Sequence, residues 1–233
     1  MNAMDINGVV DYARNHQLDL VVVAPDDPLV AGMVDALEKA GIKAFGPSKA
    51  AAYIEGSKVF SKDLMKKYNI PTAGYEVFTE MDKASNYIRQ NSKYPIVVKA
   101  DGLALGKGVL ICSNEDEALG ALKSIMLDKQ FGSSGDQVVI EEYLTGPEVS
   151  VLAFTDGKTV KPMVSSKDHK RALDDDKGLN TGGMGTISPN PFYDDVMAQK
   201  CMDEIFMPTI NAMNRENRKF KGCIYFGLML TAD

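Results

Sequence analysis

The sequence is poor in the residues that mark several large classes of protein. Only three cysteines stand in 233 residues: Cys112, Cys201 and Cys223. Their number is odd, their spacing is wide and their neighbours are apolar. A disulfide framework or a zinc cluster is therefore not expected, and reduced, buried thiols are. No apolar run approaches the roughly 18 residues that a membrane span needs. The opening Met1-Asn2-Ala3-Met4-Asp5 lacks both the basic stretch and the apolar segment of a secretion signal. Cytoplasm is the expected address. Positive charge is in deficit too. With 26 Lys and Arg against 32 Asp and Glu, the net charge is −6 and the pI about 5.1, which argues against nucleic acid as the main partner. Histidine is confined to His16 and His169, and no Ser-His-Asp or metal-ligand spacing is present.

What remains is ordinary globular composition, 45% hydrophobic and 25% charged, long enough for one large or two to three small cores. Residues 5–16 read as an amphipathic helix. The aliphatic run 18–24 reads as a parallel strand buried on both faces. A turn at 25–28, a helix over 29–40 stopped by Gly41 and a short strand at 42–45 complete a partial open parallel α/β sheet, a fold that binds ligands at its strand ends. So few elements cannot cover both faces of such a sheet, so the chain is expected to begin partway through a domain. Helices over 48–55 and 57–68 each open on a serine.

Residues 69–74 break the pattern and open a β-α-β-β-α-β unit, with strands at 75–78, 96–99, 109–112 and 137–142 and helices at 81–90 and 115–127. Residues 145–147 read as a hinge. Asp156-Gly157 marks a hairpin between strands at 149–154 and 159–164. The polar stretch 165–191 is long enough to be either functional or disordered. A helix over 194–214, despite Pro208, and a strand at 223–230 follow. The expected division is a partial N-terminal domain over 1–72, an α+β lid over 73–145 and the first part of a core over 146–233.

The chemistry gathers at two places. In the first, the strand Ile96-Val97-Val98-Lys99 delivers a lysine, and an otherwise aliphatic strand has to give that charge an anion or a polar cleft. The loop 101–108 follows with Gly102, Gly106, Lys107 and Gly108, where glycine N–H groups and a lysine suit phosphate oxygens. It is not a P-loop: the glycine spacing is one residue short, and Gly108 stands where Ser or Thr would bind magnesium. A second aliphatic strand ends in Glu141-Glu142, which alternation sends to opposite faces, so at most one need face a ligand. Lys58, near a helix start, has no significance without context. The second place is Lys167-Asp168-His169-Lys170-Arg171 with Asn180-Thr181-Gly182-Gly183-Met184-Gly185, a basic and glycine-rich pair of segments suited to a phosphate or carboxylate. A mobile basic loop is the plainer alternative there.

Taken in order, Phe45-Gly46-Pro47, Glu55-Gly56-Ser57-Lys58, Val98-Lys99-Ala100-Asp101-Gly102-Leu103-Ala104, Gly106-Lys107-Gly108, Ile140-Glu141-Glu142, Asp168-His169-Lys170-Arg171 and Asn180 to Gly185 resemble the ATP-grasp family. They are closest to its branch that joins glycine to 5-phosphoribosylamine, and the last two strings are the most specific to it. The resemblance implies an ATP-grasp fold with ATP and Mg2+ (or Mn2+) as cofactors. Lys58 and Lys99 would contact the phosphates, and 101–108 would be the flap over them, with Lys99 and Lys107 as catalytic cations. Glu141, Glu142 and Leu144 would frame the adenine, and Glu148 would hold the ribose. Asp168, His169, Lys170, Arg171, Asn180, Thr181, Gly182 and Gly183 would hold the substrates, glycine and 5-phosphoribosylamine. The implied reaction passes through glycyl phosphate to glycinamide ribonucleotide, ADP and phosphate, a step of purine biosynthesis. Another ATP-grasp carboxylate–amine ligase and an inactive nucleotide-binding fragment are the alternatives. Ala24, Asp26 and Leu179 stand where the family usually has Gly, Glu and Pro. The family's first glycine-rich loop and its magnesium-binding Glu and Asn are expected outside this chain, and little turnover is expected from these residues alone.

Overall fold

The computed structural model describes residues 1–90, 93–103, 108–174 and 177–232, with backbone only for Arg171, Lys177, Leu179 and Asn180. The chain forms two compact units, Met1–Ala52 with Thr145–Asp233, and Tyr53–Leu144.

The N-terminal stretch of the first unit runs α1 (Ile6–Asn15), β1 (Val21–Val22), α2 (Asp26–Ala31), α3 (Met33–Lys39), β2 (Ala44–Phe45) and α4 (Lys49–Gly56). α4 carries the chain from one unit into the other. Asp5 caps α1 by accepting from the Gly8 N–H at 3.0 Å. β1 and β2 pair in parallel, as the α/β grammar predicts. The strand is far shorter than the run 18–24, and it is not buried on both faces. Leu18, Leu20 and Val22 are 42%, 53% and 61% exposed, whereas Val23 belongs to a core with Leu29, Val34, Leu37 and Ile42. Helices cover one side of this two-stranded sheet, so alternate side chains are left on the other. The expected helix 29–40 is likewise two helices, broken at Gly32, whose φ is +100°.

The second unit contains α5 (Lys58–Lys67), β3 (Tyr75–Phe78), α6 (Met81–Gln90), β4 (Ile96–Ala100), β5 (Val109–Cys112), α7 (Glu115–Leu122) and β6 (Val138–Glu142). Ser57 caps α5 by accepting from the Phe60 N–H at 3.1 Å. A π-turn at Lys123–Leu127 extends α7, and a 3-10 turn at Gly132–Asp136 leads into β6. The strands form one antiparallel sheet in the order β3-β6-β4-β5. The β-α-β-β-α-β succession is present in full. One face of the sheet carries Ile96, Val98, Val138 and Ile140 into a core with Ile88, Leu122 and Ile125 from the helical segments. Burying each large aliphatic side chain is worth about 1.5–3 kcal/mol. The other face carries Val97, Lys99, Val139 and Glu141, because successive residues alternate across a strand.

The first unit resumes with β7 (Glu148–Thr155), β8 (Val160–Pro162), β9 (Lys167–Asp168), β10 (Arg171–Leu173), β11 (Lys177–Asn180), β12 (Thr186–Ile187), α8 (Asp195–Cys201), α9 (Met207–Arg215) and β13 (Gly222–Met229). β7 lies between β13 and β8 in an antiparallel sheet. Its inward residues Val149, Val151 and Ala153 are buried, and Phe206 stacks on Phe226 with ring centroids 4.2 Å apart. The helix over 194–214 tolerates Pro208 through a π-turn at Met202–Phe206, where the Met207 N–H reaches back to Met202 O. The described residues of the stretch 165–191 include regular pairing. They fold back on themselves as two small antiparallel ladders, β9 with β12 and β10 with β11.

Gly146 needs to be glycine for a steric reason. Its φ is +151°, and a Cβ there would sit 1.9 Å from Leu230 O, just where Leu230 N–H donates to Pro147 O at 3.0 Å. Gly146→Ala is therefore expected to destabilise the first unit by about 1–3 kcal/mol. Urea unfolding that shows an unchanged midpoint for this variant would refute the close approach.

Candidate functional site

On the face of the second unit's sheet turned away from α6 and α7, charged side chains meet. Lys99 and Glu141 lie on adjacent strands, two residues apart in register, since Lys99 opposes Val139 and Val97 opposes Glu141. Diagonal neighbours of this kind lie within reach of long side chains. Lys99 Nζ donates to Glu141 Oε2 at 2.7 Å. The same oxygen takes a second ammonium, Lys62 Nζ of α5, at 3.3 Å. Lys62 is 7% exposed and Glu141 5%. The remaining Lys62 donors go to Thr72 Oγ1 at 2.8 Å and Ala73 O at 3.2 Å, and the Tyr75 ring centroid lies 5.4 Å away. Desolvation lowers the Lys62 pKa despite the neighbouring Glu141.

Lys58 stands one helical turn before Lys62. Its Nζ donates to Gly102 O at 2.6 Å, and burial pulls its pKa down as well, against the opposing pull of Glu55 and Asp101. The base of the glycine loop is tied to the start of α5. Asp101 Oδ1 accepts from the Val59 N–H at 3.1 Å and from Ser57 Oγ at 3.1 Å, so a carboxylate sits at the positive end of the helix. Gly102 has φ +84°, and a Cβ there would lie 2.8 Å from Ser134 Oγ. Gly108 is buried, and its carbonyl accepts from the Ala100 N–H at 2.8 Å. Gly106 and Lys107 lie outside the described residues.

Glu141 and Glu142 point to opposite faces, as strand alternation requires. Glu142 is exposed and binds back to its own unit, accepting from the Gly74 N–H at 2.7 Å. Leu144 is half-buried at the end of the unit. The structure thus brings Lys58, Lys99, Gly102 and Glu141 together with three residues that the sequence had not singled out as ligands: Ser57, Lys62 and Asp101. Lys62 had a legible signal. It lies four residues after Lys58 on a helix, and such residues share a face.

The second group lies in the first unit. Glu148 opens β7, and its Oε2 takes Lys170 Nζ at 3.2 Å. Burial pulls Lys170 down, but Glu148, Tyr225 and Asp168 outweigh it and leave the ammonium raised. Asp168 and His169 are held by the β9–β12 ladder, and His169 N–H donates to Gly185 O at 3.0 Å. Thr181 ties the two motifs together. Its hydroxyl donates to Lys170 O at 2.9 Å and accepts from the Gly183 N–H at 3.1 Å. Gly183 has φ +104°, and a Cβ there would come 3.0 Å from Asp168 Oδ1. Nothing lies within 4 Å of a Cβ placed at Gly182. Arg171 and Asn180 are register partners in the β10–β11 ladder. Buried Asn190 supports the group, donating through Nδ2 to Glu148 O at 2.9 Å and Ser166 O at 3.0 Å.

Among the described residues no cluster of three or more His, Cys, Asp or Glu could hold a metal ion. Also among them, no helix is long and apolar enough to cross a membrane.

Comparison with solved structures gives the class of this fold, ATP-grasp. The biotin carboxylase of Campylobacter jejuni, only 18% identical, superposes with a TM-score of 0.75 over 99% of this chain and 50% of that one, a likeness of fold alone. Residues 56–233 match the family model of the phosphoribosylglycinamide synthetase ATP-grasp (A) domain, and residues 1–55 that of its N domain. The chain belongs to the phosphoribosylglycinamide synthetase family. It is 49% identical to the phosphoribosylamine–glycine ligase of Halalkalibacterium halodurans over 233 residues, 100% of this chain and 54% of that protein. To the ligase of Rhodopirellula baltica it is 50% identical, over 99% of this chain and 54% of that protein. The crystal structure of the Thermotoga maritima ligase is 38% identical with a TM-score of 0.73, over 82% of this chain and 48% of that one. The chain spans about half the length of the curated relatives it matches.

The shared carboxylate makes a stability prediction. Glu141→Ala strips the anion from two lysines, one of them buried, whereas Lys99→Ala leaves Glu141 paired with Lys62. Removing one partner of a buried pair costs about 3–5 kcal/mol, and that full cost is expected for Glu141→Ala and not for Lys99→Ala. Denaturant unfolding of the two variants side by side checks the order, and equal losses would contradict it.

Proposed function

We propose that this chain supplies the nucleotide-binding part of an ATP-dependent ligase that joins glycine to 5-phosphoribosylamine. The observation that carries the reading is the gathering of Lys58, Lys62 and Lys99 beside the base of a glycine loop, in a chain about half identical to phosphoribosylamine–glycine ligases along its whole length. A triphosphate is the substrate for which such a concentration of cations is suited. Lys58 and Lys99 bind its phosphates, and the segment after Glu141 lies along the adenine. The ammonium groups offset negative charge as the terminal phosphoryl group moves to the glycine carboxylate, releasing ADP and leaving glycyl phosphate. The amine of 5-phosphoribosylamine then attacks the acyl carbon, forming the amide and expelling phosphate. The group built on Asp168, Lys170, Thr181 and Gly183 holds the substrates, its lysine ammonium and backbone N–H groups being suited to carboxylate or phosphate oxygens.

A chimera tests this directly. The matching 233-residue region of the Halalkalibacterium halodurans ligase is replaced by this chain, and ADP release is measured with glycine and 5-phosphoribosylamine. Release that requires both substrates is expected, with kcat falling about 10²–10³-fold for Lys99→Ala. Release that ignores glycine, or that bicarbonate supports equally well, would sink the assignment in favour of another ligase of the same fold.

A further inference from the structure

We infer that Lys62 is a positioning residue, which holds and neutralises Glu141 so that Lys99 keeps its charge and donors for an anionic ligand. The inference rests on the nucleotide reading above and goes beyond it. Glu141 carries one negative charge, and two ammonium groups share its Oε2. The two lysines are not equivalent. Lys62 is 7% exposed, and its three donors are all spent on Thr72, Ala73 and Glu141. A fully used, buried ammonium has nothing left to offer a ligand. Lys99 has a side chain 24% exposed, and among the described residues it spends one donor, on Glu141. Two donors are left, together with a net positive charge on the trio.

Suppose Lys62 were absent. Glu141 would then have a single partner, and the Lys99–Glu141 pair would be neutral, with the shortest contact in the trio locked in place. An incoming phosphate would meet a carboxylate whose charge cancels the lysine. With Lys62 present, the same carboxylate acts as a fixed post: it orients Lys99 without cancelling the site's charge. The geometry supports this division of labour. Lys62 comes from α5, approaches from the interior and is fastened to Thr72 and Ala73, while Lys99 comes from the sheet. A unit charge several ångströms from a phosphate, at the effective dielectric of a half-buried site, changes affinity by about 10–100-fold.

The assignment makes a prediction that a direct ligand or a purely structural lysine would not share: a second mutation at Glu141 rescues the loss of Lys62. ATP and inorganic tripolyphosphate are titrated by calorimetry into the wild type, Lys62→Met, Glu141→Gln and the double variant, with unfolding midpoints recorded for each. Lys62→Met is expected to weaken both anions about 10–100-fold. Lys62→Met/Glu141→Gln is expected to recover most of that loss, since the neutral glutamine can still accept from Lys99 but no longer cancels it. Lys62→Gln serves in the same scheme if the methionine variant does not fold. A double variant that binds no better than Lys62→Met would overturn the inference, as would a wild type that binds neither anion. A wild type that binds tripolyphosphate but not ATP, with rescue in the double variant, would sustain the inference and sink the nucleotide reading.

Discussion

A buried carboxylate cannot stand alone in a protein interior, and Glu141 dictates much of the second unit for that reason. It closes an aliphatic strand on the face turned away from the helical core, 5% exposed, and the sheet by itself offers it only Lys99. The rest of the compensation has to come from elsewhere, and α5 brings Lys62 to the same oxygen. That demand couples the helix, the segment 72–73 and two central strands around one atom. The start of α5 is fastened separately, through Ser57 and Asp101, to the loop that follows β4. The proposed nucleotide site on this face would thus rest on a structural necessity, since the charges it would use are ones the fold has already had to satisfy.

The first unit follows a different logic. Its chemical residues lie on short ladders within a polar stretch, where little apolar burial is available to hold them. Hydrogen bonds take over. Asn190, 3% exposed, bridges the backbone of Glu148 and Ser166, and Thr181 bridges Lys170 and Gly183. Glycine matters where the backbone crowds its surroundings, at Gly183 against Asp168 and at Gly146 against Leu230. Polar satisfaction substitutes here for a core, and every link is a group that would otherwise be left without a partner.

Much of the fold was legible because it is written in local periodicity. The run of strands and helices over 75–142 alternates cleanly, and Asp156-Gly157 reads as a turn, with Asp156 Oδ1 accepting from the N–H groups of Lys158 and Thr159. The run 18–24 misled for a physical reason. Continuous aliphatic character predicts burial on both faces only when both faces are covered, and here the sheet has one helical side. Pro208 and the stretch 165–191 were ambiguous because a π-turn and two-residue ladders leave no periodic trace. Of the candidate site, Lys99, Glu141 and the glycine loop stood out as polar groups on aliphatic strands. Lys62 did not, since a lysine on a helix is usually a solvated one.

The sequence by itself determined the family, the element order over most of the chain and the parity that sends Glu141 and Glu142 to opposite faces. These follow from motif strings and from the two-residue period of a strand, both local properties. Tertiary structure alone decided how the donors of the two lysines are used. It placed Lys62 inside with every donor used, and Lys99 half-buried with, among the described residues, one donor used. Burial and partner count belong to the packed chain, and the same residue type four positions apart or two strands away acquires a different chemistry from them.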